Sequence, residues 1–187
     1  KEGKIKQFGF SEIAPTTLEK ISTIYPVGAI QSEYSLSTRY PELGLVQKTK
    51  KLNTTFVAFS PVGRGLLTDT PINKDLLPSL QFLKQNPRFT KHNYVANIKA
   101  CDNFRSLAKD FNLTAAGLAI AWLHNKGTHI LTIPGTRSVN HFIEMADGAN
   151  KVLSPEQMDE IETALPVGWA HGDRYSQEQW LGPEKYC

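Results

Sequence analysis

Apolar and polar positions alternate along this chain in two rhythms that take turns. Residues 5–10, 27–34, 54–59 and 129–133 are short apolar runs, β-branched or aromatic in the middle, and each reads as a strand. Helical spacing fills the intervals between them. One helix opens at Ala14-Pro15-Thr16-Thr17-Leu18-Glu19, with Thr16 or a neighbour as cap and Leu18, Ile21, Ile24 and Tyr25 on its apolar face. Further helices are expected at about 41–52, 97–111, 114–124 and 139–149. A last one opens at Ser154-Pro155-Glu156-Gln157, which supplies a cap, a proline at the first helical position and an acidic first turn. Residues 60–97 carry Pro61, Pro71, Pro78 and Pro87 and show neither rhythm, so they are expected to form a long irregular loop. The tail from Pro166 is irregular as well.

Strands that alternate with helices imply a parallel sheet covered by helices. The expected fold class is α/β, with four parallel strands and covering helices. Four strands can stand alone as a sheet, but every strand here ends in polar or glycine-rich residues. A β/α barrel builds its site on such strand ends. No Gly-x-Gly-x-x-Gly follows the first strand, which argues against a Rossmann sheet.

Composition narrows the class further. The chain has 187 residues, 40% hydrophobic and 21% charged, as in an ordinary soluble domain. A formal charge of +3 without a dense Lys/Arg block excludes a nucleic-acid footprint and leaves room for a mildly basic anion site. No apolar run reaches the roughly 18 residues of a membrane span. Cys101 and Cys187 have no metal-ligand spacing and form no disulfide framework, so no metal is expected and reduced thiols in a cytoplasmic protein are. His92, His124, His129 and His171 likewise lack partners at metal spacing. The chain opens at Lys1 rather than Met, as expected of a segment that starts inside a longer polypeptide.

The segment richest in chemistry is Ile133-Pro134-Gly135-Thr136-Arg137-Ser138. A strand that turns through Pro-Gly into a helix start presents backbone N–H groups to an anion. Thr136 and Ser138 add hydroxyl donors, and Arg137 adds a planar charged fork suited to phosphate. Three more clusters stand at the other strand ends: Gly9-Phe10-Ser11-Glu12, Gln31-Ser32-Glu33-Tyr34, and Phe59-Ser60-Pro61-Val62-Gly63-Arg64-Gly65.

In this order the four clusters resemble the second half of the aldo-keto reductase family. Its members show a Gly-x-Ser-Asn/Glu turn, a Gln-x-Glu-Tyr strand, a Ser-Pro-Leu-Gly-Arg-Gly loop and an Ile-Pro-Gly-Thr-Arg/Lys clasp. Residues 4–12 and 31–39, with Gly172-Asp173-Arg174-Tyr175, look closest to the branch of pyridoxal and perakine reductases. The resemblance spans essentially residues 1–187 and implies the C-terminal half of a (β/α)8 TIM barrel, one domain whose N-terminal strands lie outside this chain.

The resemblance implies NADP as cofactor and gives each cluster a role. Ser11 and Gln31 would bind the nicotinamide carboxamide. Glu12 stands where many members have Asn, and its carboxylate accepts but cannot donate. Phe59 would stack on the nicotinamide, keeping the aromatic face without a hydroxyl. Ser60, Val62 and Arg64 would line the pyrophosphate. Thr136 and Arg137 would grip the 2′-phosphate. His141 and Glu144 would face the adenine, Glu144 accepting from its amino group, while Met145 stands where members often carry Asn.

The family's catalytic Tyr, Lys, Asp and His precede the first strand seen here, so no catalytic residue is carried over. A full barrel of this type takes about 250 residues. The expectation is therefore the NADP(H)-binding half of an oxidoreductase that reduces aldehydes or ketones, inactive by itself and completed by a missing N-terminal half or by self-association. Its substrate would be a small carbonyl compound. The competing readings are a nucleotide-sensing subunit of the channel-β type and an inactive fragment. Trp169, Tyr175 and Trp180 in the tail could line a pocket or anchor the tail.

Overall fold

The strand order read from the alternation is the order observed. The computed structural model describes residues 2–186. Its strands β1 (Gly9–Ser11), β2 (Ala29–Glu33), β3 (Thr55–Phe59) and β4 (Ile130–Ile133) form one parallel sheet in chain order. The helices are α1 (Pro15–Ser22), α2 (Leu45–Lys51), α3 (Lys91–Ala100), α4 (Asp102–Asp110), α5 (Ala115–Asn125), α6 (Val139–Ala149) and α7 (Pro155–Ala164).

Period-two alternation gives the sheet two unlike faces. Ile30, Phe56, Ala58 and Ile130 are buried against the helices, together with Tyr34, Phe104 and Trp122. The Tyr34 ring meets Phe56 and Trp122 edge-on, with centroids 5.6 and 5.4 Å apart. The opposite face carries Ser11, Gln31, Val57, Phe59, Leu131 and Ile133, and no helix covers it: Leu131 and Ile133 are 52% and 43% exposed.

Helix α5 is buried from Ala115 through Leu123, as a helix enclosed on all sides must be. It packs on α6 through two glycines. A Cβ on Gly148 would lie 2.0 Å from the Gly117 carbonyl oxygen, and one on Gly117 would lie 2.9 Å from that of Glu144. Only glycines permit this approach, and it fixes where α6 and the turn before it sit.

Several elements depart from the sequence expectations. Strand β1 is shorter than residues 5–10 because its partner begins late: Pro26 has no N–H to give, and the first ladder bond runs from Gly28 N–H to the Phe8 carbonyl. Thr16 lies inside α1 rather than capping it. Pro15 occupies the first helical position, and the Glu184 carboxylate from the tail accepts the Ala14 N–H at 2.7 Å. The helix at 41–52 is a 3-10 turn, Tyr40–Leu43, then a break at Gly44 (φ 131°), then α2.

The helix at 97–111 is two helices. The first begins at Lys91, and they meet at Cys101, where the Ile98 carbonyl accepts both the Cys101 N–H and the Arg105 guanidinium. Of the expected loop 60–97, residues up to 89 are ordered as 3-10 turns and the rest enters α3, around Leu66, Leu77, Phe89 and Tyr94. The cap at Ser154 is as expected, a reciprocal capping box with Gln157.

On the helical side, Arg39 donates to Glu42 and Glu162, each at 2.7 Å, and Lys126 donates to Glu162 at 3.0 Å. Burial raises the Glu162 carboxyl pKa, but the hydrogen bonds from Arg39 and Lys126 outweigh it and hold the group below the ordinary carboxylate value. A depressed folded-state pKa contributes stability above the unfolded-state value and loses it as pH falls through the folded one. Glu162→Gln should therefore flatten the acid side of the stability–pH curve below about pH 5, as urea midpoints measured from pH 7 to pH 3 would register. A wild-type curve that keeps its acid slope in the variant would contradict the assignment. Gly148→Ala should cost about 2 kcal/mol through overpacking against α5, measured by chemical denaturation; an unchanged midpoint would mean that the helices separate freely.

Candidate functional site

Strand register assembles one part of the site. Ser11, Gln31, Val57 and Leu131 share a row across the sheet, and Glu33, Phe59 and Ile133 share the next row toward the strand ends. The side chains of Ser11 and Gln31 make no hydrogen bond among the described residues, and both are exposed on the uncovered face. A hydroxyl and a carboxamide thus lie side by side, with the half-buried Phe59 ring one row beyond.

The loop after β3 is shaped by left-handed backbone. Ser60, Gly63, Arg64 and Gly65 have φ of 50°, 60°, 56° and 94°, and N–H groups from Gly63 and Gly65 turn back onto the Ser60 and Val62 carbonyls. The Arg64 guanidinium does not project into solvent as a free phosphate ligand. It donates to Glu33 Oε2 at 2.7 Å and lies over the rings of Phe82 (4.4 Å), Tyr175 (5.6 Å) and Phe59 (6.0 Å).

Glu33 is buried and fully engaged. Its second oxygen accepts from Thr38 Oγ1 at 3.0 Å, and Arg88 Nη1, itself donating to Thr38 Oγ1 at 2.6 Å, stands 4.0 Å away. Burial pulls the Arg88 pKa down, with Glu33 opposing it. It pushes the Tyr175 phenol pKa up, aided by Glu33.

Glu12 differs most from its sequence expectation as an acceptor open to a ligand amide. It sits at φ 56°, and Oε1 already accepts from the Glu33 N–H (2.7 Å) and the Ser32 hydroxyl (3.0 Å), while Oε2 accepts from Arg174. Three donors occupy the carboxylate, so its role here is to tie strand ends and tail together.

The second part of the site is a cleft of about 410 Å³ between the β3 loop and α6. Val62, Thr136, His141, Glu144 and Met145 line it, together with Thr68, Asp69 and Thr70. The turn into α6 is self-organised: Ser138 N–H donates to Thr136 Oγ1 at 3.1 Å, and Ser138 Oγ caps the helix by accepting the His141 N–H. Arg137 is exposed beside this cleft rather than in its wall, and its guanidinium has no partner among the described residues.

Sequence reasoning missed Asp69, which also accepts the Ala115 N–H at the start of α5. Its position directly after the glycine-rich loop was the available signal. It also missed Arg88, and it quoted Arg174 within a family-like tail without giving it a role; the partners of both lie far off in sequence and leave no spacing to read.

With this geometry in place, comparison with known proteins is decisive. The model of the aldo/keto reductase family matches residues 1–166. The chain belongs to that family. It is similar to "Aldo-keto reductase yakc [NADP(+)]" of Schizosaccharomyces pombe, 36% identical over 177 residues that cover 92% of this chain and 52% of that protein. It is also 34% identical to "Probable aldo-keto reductase 1" of Glycine max over 174 residues, 93% of this chain and 50% of that one. Among solved structures, the glycerol dehydrogenase AKR11B4 from Gluconobacter oxydans superposes with a TM-score of 0.73 at 26% identity over 88% of this chain and 50% of that one. The thermostable aldo-keto reductase Tm1743 shares the fold at a TM-score of 0.65. The aldo/keto reductase chain described here spans about half the length of the curated relatives it matches.

Proposed function

We propose that this chain is the cofactor-holding C-terminal part of an aldo-keto reductase barrel, an oxidoreductase that reduces small aldehydes or ketones with NADPH. The observation that carries this reading is the division of the site into two matched parts. A polar cleft lined by Val62, Thr136, His141 and Glu144 suits an adenosine phosphate, and the Ser11–Gln31 pair beside Phe59 suits a carboxamide-bearing ring.

The donor set fits the group. Among the described residues, the Ser11 hydroxyl and the Gln31 amide have no partner, Phe59 offers a flat face, and Arg137 is an unpaired cation beside a capped helix start. NADPH bound there supplies the hydride for carbonyl reduction. The chain's own residues orient its two ends, and the β3 loop, with four left-handed residues, brings backbone close to the connecting phosphates. The NADP(+) in the yakc relative's name agrees with this choice of cofactor.

The uncovered face belongs to the same reading. β1 and β4 are open sheet edges, and Leu131 and Ile133 expose apolar surface on the uncovered face; Val139, Phe142 and Ile143 on α6 are exposed as well. A further β/α unit closing on these edges would bury that surface and bring the general acid that this segment lacks; a second copy of the chain is the other way to cover it.

Calorimetric titration with NADPH and NADH tests the cofactor. NADPH is expected to bind on the order of tenfold more tightly, with Arg137→Ala erasing the difference. Equal affinities in the unaltered chain would remove Arg137 as selector, and absence of binding would sink the reading. Light scattering tests closure: the isolated chain is expected to associate, and a stable dispersed monomer would count against a face that needs covering.

A further inference from the structure

The geometry points to Arg174, in the C-terminal tail, as a positioning residue for the Ser11–Gln31 end of the site, acting through Glu12. The inference rests on the nucleotide reading above and adds to it a residue far from the cleft.

Glu12 is the joint. Its N–H donates to the Gln31 carbonyl at 2.9 Å, directly between the two side chains assigned to the carboxamide. Its carboxylate holds the Glu33 N–H and the Ser32 hydroxyl, so the ends of β1 and β2 are clamped through one side chain. A left-handed conformation at a non-glycine residue is costly, and the surrounding contacts have to hold it.

The tail supplies those contacts twice. Arg174, whose side chain is 3% exposed, pairs with Glu12 Oε2. The Glu184 N–H donates to the Glu12 carbonyl at 2.8 Å, and the Glu184 carboxylate accepts the Ala14 N–H two residues on. Every hydrogen-bonding side of Glu12 is therefore fixed either by β2 or by the tail.

Arg174 is itself held firmly enough to act as an anchor. Its carbonyl accepts from Asn86 at 2.5 Å, and its guanidinium lies over the rings of Tyr175 at 4.4 Å and Trp180 at 5.0 Å. Asn86 belongs to the ordered stretch between β3 and α3, so the tail transmits the position of that stretch to the turn after β1. Without Arg174, Glu12 would keep its strand partners but lose the cation that fixes its second oxygen, and the Ser11–Gln31 spacing would loosen.

None of these residues touches the cleft lined by Thr136, His141 and Glu144. That separation provides the test. NADP+ spans both parts, whereas adenosine 2′,5′-bisphosphate reaches only the cleft. Arg174→Met keeps the bulk and removes the charge. It should weaken NADP+ on the order of tenfold, the value of one or two well-placed hydrogen bonds, and leave the bisphosphate unchanged. Arg174→Lys, which keeps the ion pair, should recover part of the loss.

Glu184→Ala removes the acceptor that holds the Ala14 N–H and so loosens the tail's grip on the same turn without stranding a buried charge, and it should act in the same direction if Arg174→Met fails to fold. Equal weakening of both ligands would reduce Arg174 to a general structural role and overturn the proposal. So would unchanged NADP+ affinity in both Arg174→Met and Glu184→Ala, or a wild type that binds NADP+ no tighter than the bisphosphate. A wild type that binds neither ligand fails the nucleotide reading itself, and the positioning role falls with it.

Discussion

A buried carboxylate at the end of β2 is the constraint around which the site is organised. Glu33 is 1% exposed, and a charge at such a position is tolerated only with partners placed to match it. Arg64 reaches it from the loop after β3, Thr38 from the turn after β2, and Arg88 stands behind Thr38 from the proline-rich stretch. Three segments without regular secondary structure are thereby drawn to one strand end. Arg64, held there, adopts its left-handed backbone and stacks among Phe59, Phe82 and Tyr175, which gives the loop its shape. The proline-rich stretch in turn carries Asn86 to the tail and Asn97 to the His171 carbonyl. Removing the carboxylate would leave the Arg64 and Arg88 guanidinia without the charge that both approach, which costs more than the loss of one ion pair.

The sheet and its helical cover were legible because they obey local rules. Residues 29–33, 55–59 and 130–133 lie within the stretches read as strands, and α5, α6 and α7 fall where helical spacing and caps put them. What stayed hidden was decided over long distance. The break at Cys101 is stabilised by Arg105 reaching back to Ile98 and across to Leu66 and Thr68, and the start of α1 is completed by Glu184, 170 residues away. Residues 60–90 lack periodicity because their order comes from side chains such as Arg88, and Asn97 reaching back from α3, that satisfy backbone carbonyls, not from a repeating ladder.

The candidate site divides along the same line. Val62 and Thr136 lie in two of the short motifs, His141 and Glu144 on the helix after the second, each read for a different portion of the cofactor; one cleft contains all four. Ser11, Gln31 and Phe59 were legible as strand-end residues, and the register gives them a common face. Glu12 and Arg64 sit in the motifs as anticipated, yet their side chains serve the protein rather than open space. Nothing in a motif distinguishes a carboxylate awaiting a ligand from one already holding three donors. That distinction depends on Arg174, which stands 162 residues further along the chain.

The two parts of the site are unequally complete, and this orders the steps of binding. The cleft between the β3 loop and α6 is walled by elements that pack on one another, with the Gly117–Gly148 contact fixing α6 against α5. The Ser11–Gln31 row lies on the open face of the sheet, with solvent on the side where a ring would have to be enclosed. Hydrogen bonds offered in water are worth little, because water competes for both partners, whereas the same bonds in an enclosed site are not diluted. On the proposed reading, the adenosine end of the cofactor therefore supplies most of the affinity of this chain by itself. The nicotinamide end adds a smaller share, on the order of tenfold, and gains further strength when the uncovered face is closed. On that reading, the surface that completes the sheet is the same surface that brings the reactive end of the cofactor under control, and fold closure and catalytic competence become one event.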